Sequence, residues 1–205
     1  MNPLDRNNTF EAKFWNDRYL NKDTSWDLGS TTPIFQHWSK SLKNKKKILV
    51  PGAGNGYDAL YLAKLGHDVY ALDFSEQSIE NIKLKAKESK ININTIYDNF
   101  FNLDSKLNGY FDIVLEYTFF CAIPISKRKE YIKKSYELLN IEGLFIGILL
   151  PLDKKISDSG PPFGIELENT LNDFSKYFVI NNVEQSDLSV KPRANREVFV
   201  KMSRK

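Results

Sequence analysis

Apolar and polar positions along this chain of 205 residues switch repeatedly between two periods. Alternating or continuous apolar runs fall at 46–51, 67–72, 93–97, 111–116, 143–150, 178–185 and 196–202, and predict strands. Between them, 55–65, 75–88, 126–139 and 166–176 carry apolar residues at helical spacing. Two more helices are predicted ahead of the first strand. One spans 10–22, with Phe10, Phe14, Trp15 and Tyr19 as an aromatic face. The other opens with Thr32 as N-cap and Pro33 as first helical residue, and runs to about Leu42. Gly66, Asn140 and Gly143 mark helix ends or turns. Strands alternating with helices of this length predict a largely parallel sheet covered on both faces. The 186–195 connection holds Pro192 and no helical pattern. A parallel crossover needs roughly a dozen residues and usually a helix, so the last strand is expected to be antiparallel.

The first strand leads into Val50-Pro51-Gly52-Ala53-Gly54-Asn55-Gly56, a turn almost bare of side chains, followed by a helix. Such a unit opens nucleotide-binding α/β domains, because glycine lets a ligand approach the backbone where a Cβ would collide. A dinucleotide fingerprint requires a small residue where this chain has Tyr57. The Gly-x-Gly-x-Gly spacing suits a ligand without phosphate, such as S-adenosylmethionine. Asp73 ends the second strand, close to the ~20-residue spacing at which a carboxylate reaches a ribose. Ser75 reads as the cap of the helix that follows.

Ligands of open α/β sheets bind beyond the carboxyl ends of the strands. The third strand ends at Asp98-Asn99-Phe100-Phe101, which offers a polar group for an adenine amine and a ring to stack on it. The fourth ends at Glu116-Tyr117-Thr118-Phe119-Phe120-Cys121, an apolar segment fit to line a substrate pocket. Glu116 is expected to meet an ammonium group or another donor there. Gly160-Pro161-Pro162-Phe163-Gly164 reads as a stiff loop, which either closes Phe163 over the site or is a rigid surface turn.

Composition narrows the classes. Net charge is +3, too small to indicate nucleic acid or a membrane surface. No apolar run of ~18 residues occurs, so no membrane span is expected. One cysteine and two histidines, without ligand spacing, speak against disulfides and zinc, and the cysteine usage fits the cytoplasm. One domain is expected, as a monomer or small homo-oligomer: a helical cover over 1–44 and a core over 45–205.

The assembled motifs resemble the thiopurine/thiol/halide methyltransferase family, most of all its plant thiocyanate and halide branch. The resemblance rests on Phe14-Trp15-Asn16-Asp17-Arg18-Tyr19, Thr24-Ser25-Trp26-Asp27-Leu28-Gly29, the Val-Pro-Gly-Ala-Gly turn, Leu72-Asp73-Phe74-Ser75, Phe119-Phe120-Cys121-Ala122-Ile123, Gly160-Pro161-Pro162-Phe163, and Pro192-Arg193 with Arg196-Glu197. It implies a Rossmann-like class I methyltransferase with a mostly parallel seven-stranded sheet, an antiparallel last strand and S-adenosylmethionine as cofactor. It implies that Trp15, Tyr19 and Trp26 enclose the cofactor, that Gly52 and Gly54 receive it and that Asp73 holds its ribose. Asp98 and Asn99 would lie by the adenine, and Glu116 would begin the loop by the methionine moiety. Tyr117, Phe120, Phe163 and Arg193 are candidates for the substrate pocket. The expected reaction is in-line methyl transfer to a small soft nucleophile: a thiol, hydrogen sulfide, thiocyanate or a halide. Thiopurine, hydroxyl, amine and metalloid acceptors stay open, because Gly164-Ile165-Glu166-Leu167 departs from the plant pattern.

Overall fold

The computed structural model describes residues 11–156 and 160–205. Phe10, and with it the start of the expected first helix, lies outside the described residues. Strands β1 (Lys47–Pro51), β2 (Asp68–Asp73), β3 (Asn94–Tyr97), β4 (Phe111–Tyr117), β5 (Leu139–Leu149), β6 (Phe178–Glu184) and β7 (Val198–Arg204) form one sheet in the order β3-β2-β1-β4-β5-β7-β6. The first five are parallel, and β7 runs antiparallel to both β5 and β6. The short Pro192-bearing connection therefore makes the expected reversal.

Period two along each strand divides the core between the two faces. Leu49, Leu72, Val114 and Phe145 point to one face and join Tyr131, Ile132 and Leu138 of α5 (Arg128–Leu138) and Phe174 of α6 (Leu167–Phe174). Ile48, Val50, Val69 and Ile113 point to the other. There they meet α2 (Pro33–Ser39), α3 (Tyr57–Lys64) and α4 (Glu76–Ser89) through Phe35, Leu62 and Ile82. Both faces of the central strands are covered, so β1 and β5 are largely apolar rather than alternating polar and apolar. Strand order reverses between β1 and β4, and a ligand crevice opens at such a point.

Helix α1 (Ala12–Leu20) sits on the start of α4. The Asn16 side-chain carbonyl accepts the Ser75 hydroxyl at 2.6 Å and the Gln77 amide at 3.3 Å. Ser75 caps α4 as expected, accepting the Ser78 amide.

Three local readings are corrected. Thr32 holds the N-cap position of α2, but its hydroxyl does not cap the helix; it donates to Asp58 at 3.0 Å. The helix expected from 126 begins at Arg128, behind a 3-10 turn at Ile125–Lys127. The turn expected at Asn140 and Gly143 is a bulge inside β5, where pairing jumps from Phe111↔Leu139 to Ile113↔Leu144. A Cβ at Gly143 would lie 2.8 Å from the Asn140 carbonyl, so the bulge closes only around glycine.

Candidate functional site

A cavity of about 390 Å3 lies across the carboxyl ends of the strands at the reversal point. Gly52, at the end of β1, forms part of its floor. Asp73 and Phe74 after β2, and Asp98 to Phe101 after β3, line one end. Leu150 and Pro151 after β5, with Pro192, Arg193 and Arg196 before β7, line the other. Trp15, Arg18 and Tyr19 of α1 and Ser25 to Leu28 complete the wall. A second cavity of about 80 Å3 shares Tyr19, Trp26 and Gly52, and adds Gly54, Thr32, Asp58 and Tyr117.

The floor depends on glycine for both backbone and space. Gly52 and Gly54 have φ of +60° and +55°. A Cβ at Gly52 would lie 2.5 Å from the Phe119 ring, and one at Gly54 would lie 2.8 Å from the Tyr19 hydroxyl. Asp73 binds this turn to β2: Oδ2 accepts the Gly54 amide and Oδ1 the Ser75 amide, both at 2.9 Å. Burial raises the Asp73 carboxyl above its ordinary value, while these amides pull it back down. The Phe74 amide and the Ser78 hydroxyl also bear on this carboxylate, which borders the main cavity from the end of β2.

The aromatic wall is held by mutual edge contacts. Trp26 lies edge-on to Trp15 at 5.3 Å and to Tyr19 at 5.8 Å. The Arg18 guanidinium sits 4.9 Å from the Trp26 ring and pairs with Asp23 at 3.1 Å. At β3, Asp98 is exposed and accepts the Asn99 amide, and Asn99 caps the next turn through the Phe101 amide at 3.0 Å.

At the opposite end, Arg193 is buried with its guanidinium 4.7 Å from the Tyr117 ring. Its Nη2 donates to the Trp26 carbonyl, and its Nη1 has no protein partner. Asp58, whose carboxylate holds the Thr32 amide and hydroxyl, is pushed up to about 6 by burial, with Arg193 as an opposing influence.

Four expected residues lie elsewhere than anticipated. Glu116 lines neither cavity; its carboxylate is fully buried, accepting the Phe120 amide at 2.7 Å and the Tyr131 hydroxyl at 2.5 Å. Burial pushes it up to about 7, and both its partners are donors of the chain itself, the second of the two alternatives. Phe120 is core, packed on Tyr131 and Phe174 at 5.5 and 5.8 Å. Phe163 folds back on Gly160, while its neighbours Pro161 and Pro162 line the cavity in its place. Tyr117 lines only the smaller cavity. In the first two cases β4 runs one residue further than expected, and the chain then turns inward through the Glu116–Phe120 bond.

Arg18, Asp27, Ile123 and Leu150 were not singled out from the sequence, yet all line the main cavity. The first three lie inside the quoted motif stretches. Leu150 follows the carboxyl end of β5, where the strand-end rule looks for ligands. His37 is exposed on α2.

A doubly wound sheet of this order, with a glycine turn and an acidic second-strand end at its reversal point, defines a Rossmann-like class I methyltransferase. The chain belongs to the thiopurine S-methyltransferase family, whose model matches residues 10–205. It uses S-adenosylmethionine. Similar proteins include a probable thiol methyltransferase 2 of Arabidopsis thaliana, 30% identical over 89% of this chain and 81% of its own length. Thiocyanate methyltransferase 1 of Brassica oleracea is 30% identical over 92% and 84%. The fold matches a Burkholderia thailandensis 1,6-didemethyltoxoflavin-N1-methyltransferase, solved with that compound and S-adenosylhomocysteine. Its TM-score is 0.76 over all of this chain and 91% of the other, at 19% identity.

The residues present fit the cofactor: a cavity floored by Gly52 at the reversal point, a buried carboxylate at the end of β2, and a wall of indole and phenol rings.

Proposed function

We propose that this enzyme methylates a small soft nucleophile, a thiol, hydrogen sulfide, thiocyanate or a halide, by direct in-line displacement. The observation that carries this reading is Arg193: a buried guanidinium with one unpartnered nitrogen, in the cavity wall at the end away from Asp73 and Asp98. Asp58 and Glu197 share its charge, and the donor left over on Nη1 suits a small anion. Plant thiol and thiocyanate relatives at 30% identity support it over the thiopurine S-methyltransferase of Shewanella amazonensis, at 27%.

The cofactor supplies an electrophilic methyl group on a sulfonium. Asp73 holds the ribose hydroxyls, Asp98 and Asn99 lie by the adenine, and Gly52 and Gly54 admit the chain of the cofactor to the backbone. Trp15, Tyr19 and Trp26 face the cation and exclude water. A ring facing a cation contributes ~0.5–2 kcal/mol. Pro161, Pro162, Ile123 and Leu150 give the acceptor a dry wall. An anion there is poorly solvated and aligned, and alignment with water removal lowers a displacement barrier by several kcal/mol. A thiolate or halide arrives without a proton to lose, so no general base is required. Cys121 is no nucleophile in this scheme: burial pushes its thiol up to about 12. Residues 1–44 act as a cover over a core formed by 45–205, within the cytoplasm.

The test is headspace gas chromatography after incubation with S-adenosylmethionine and bisulfide, methanethiol, thiocyanate, iodide, a thiopurine or a catechol. Volatile methyl products from the soft anions are expected. Turnover confined to the thiopurine or the catechol would overturn the acceptor assignment.

A further inference from the structure

Asp27, in the Trp-Asp-x-Gly turn, joins the N-terminal cover to the glycine turn. Its Oδ1 accepts the Gly29 amide at 2.7 Å, which closes its own turn. Its Oδ2 accepts the side-chain amide of Asn55. Asn55 is in turn held from α4. Its side-chain carbonyl accepts from Asn81 at 3.0 Å, and its backbone carbonyl accepts from Lys85 at 2.9 Å. Asn81 is fixed by Gln77 at 2.9 Å, one turn earlier on α4. A continuous chain of hydrogen bonds therefore runs from α4 through the glycine turn to the residue beside Trp26.

We propose that Asp27 and Asn55 are a positioning pair for the cofactor: the carboxylate of the cover grips the carboxamide of the glycine turn and so fixes Trp26 above the floor made by Gly52. The inference rests on assigning the main cavity to the cofactor. Asp27 borders both cavities and Asn55 borders only the smaller, so the bond crosses the seam between cover and floor. A hydrogen bond to a charged group is worth more than a neutral one, and here it spans two segments 28 positions apart. Closing the seam before the cofactor arrives lowers the ordering cost of binding.

Asn55→Asp isolates the bond. The replacement keeps the carbonyl-type oxygen that Asn81 uses and exchanges only the donor for a second carboxylate facing Asp27. Asp27→Asn keeps an acceptor for the Gly29 amide. The double variant Asp27→Asn/Asn55→Asp reverses donor and acceptor and restores a charged bond. Calorimetry with S-adenosylhomocysteine and steady-state kinetics would be run on these three, on Asn55→Ala and on Asp73→Ala, each checked for native melting. Asn55→Asp and Asn55→Ala are expected to weaken binding and raise KM for S-adenosylmethionine about tenfold or more, with kcat within about threefold. The reciprocal double variant should recover most of that loss. Wild-type affinity in the single Asn55 variants, or a double variant no better than Asn55→Asp, overturns the pair. If those variants bind normally while Asp73→Ala does not, the pair alone is refuted. If Asp73→Ala also binds normally, the cavity assignment falls with it.

Discussion

The carboxylate of Asp73 accepts the amide of Gly54 at 2.9 Å, so the end of β2 holds the turn that leaves β1. One side chain thus shapes the floor and, in the proposed reading, holds the ribose. Asp73→Ala removes both functions. Two charge-assisted bonds to a ribose at ~1.5–3 kcal/mol each correspond to a loss of about a hundredfold or more in affinity for S-adenosylhomocysteine, measured by calorimetry. The melting temperature should fall as well, because the Gly54 and Ser75 amides lose their acceptor.

Gly54→Ala tests the floor itself. The added methyl would meet the Tyr19 hydroxyl at 2.8 Å, at a φ of +55°. Left-handed backbone costs a non-glycine residue ~1–2 kcal/mol. Denaturant titration should show that loss, and Tyr19 must move off the turn. Cofactor affinity is then expected to fall more than stability does.

Removal of residues 1–28 takes away Trp15, Tyr19 and Trp26 together with the Asn16 contact to α4. The sheet draws its core from other residues, so far-ultraviolet circular dichroism should change little. Affinity for S-adenosylhomocysteine should drop strongly. Equal calorimetric affinity with and without the segment would remove the cover from the binding site.

Glu116 predicts a pH dependence. Its folded value, about 7, lies above the ordinary carboxyl value of 4.5 because burial disfavours its charge. The stability it allows is complete below the unfolded value and is lost as pH rises through the folded one. Between about pH 4.5 and 7 this group should cost about 3 kcal/mol. Glu116→Gln cannot ionise, so its unfolding free energy should decline less than that of the wild type between pH 5 and pH 8.

Arg193→Met tests the acceptor end. The unpartnered Nη1 disappears while the side-chain length is kept. KM for bisulfide or thiocyanate should rise about tenfold or more, and S-adenosylhomocysteine affinity should fall by a smaller factor because the Trp26 carbonyl loses its donor. A neutral acceptor would respond far less.

The sheet was legible because each strand carries its own signal. Ile48 to Val50 is apolar on both faces, and the glycines that follow permit only a turn. Asp73 could be placed beside that turn from its spacing alone. Glu116 could not. Read along the chain, it stands at a strand end where a ligand-facing carboxylate belongs, and nothing local says that Tyr131, on the next helix, will turn its hydroxyl to it.

Periodicity, the glycine spacing and the strand-end carboxylate thus determined the architecture and the cofactor class, because they act over a few residues and hardly depend on what packs against them. Which side chains border the cavity was decided by tertiary packing. Phe120 folds into the body and Phe163 back on Gly160, while Pro161, Pro162 and Leu150 take the wall. Arg193 comes beside Trp26, 167 positions away, only when the last strand reverses direction. Contacts at that separation depend on the placement of whole elements, and no local pattern encodes it.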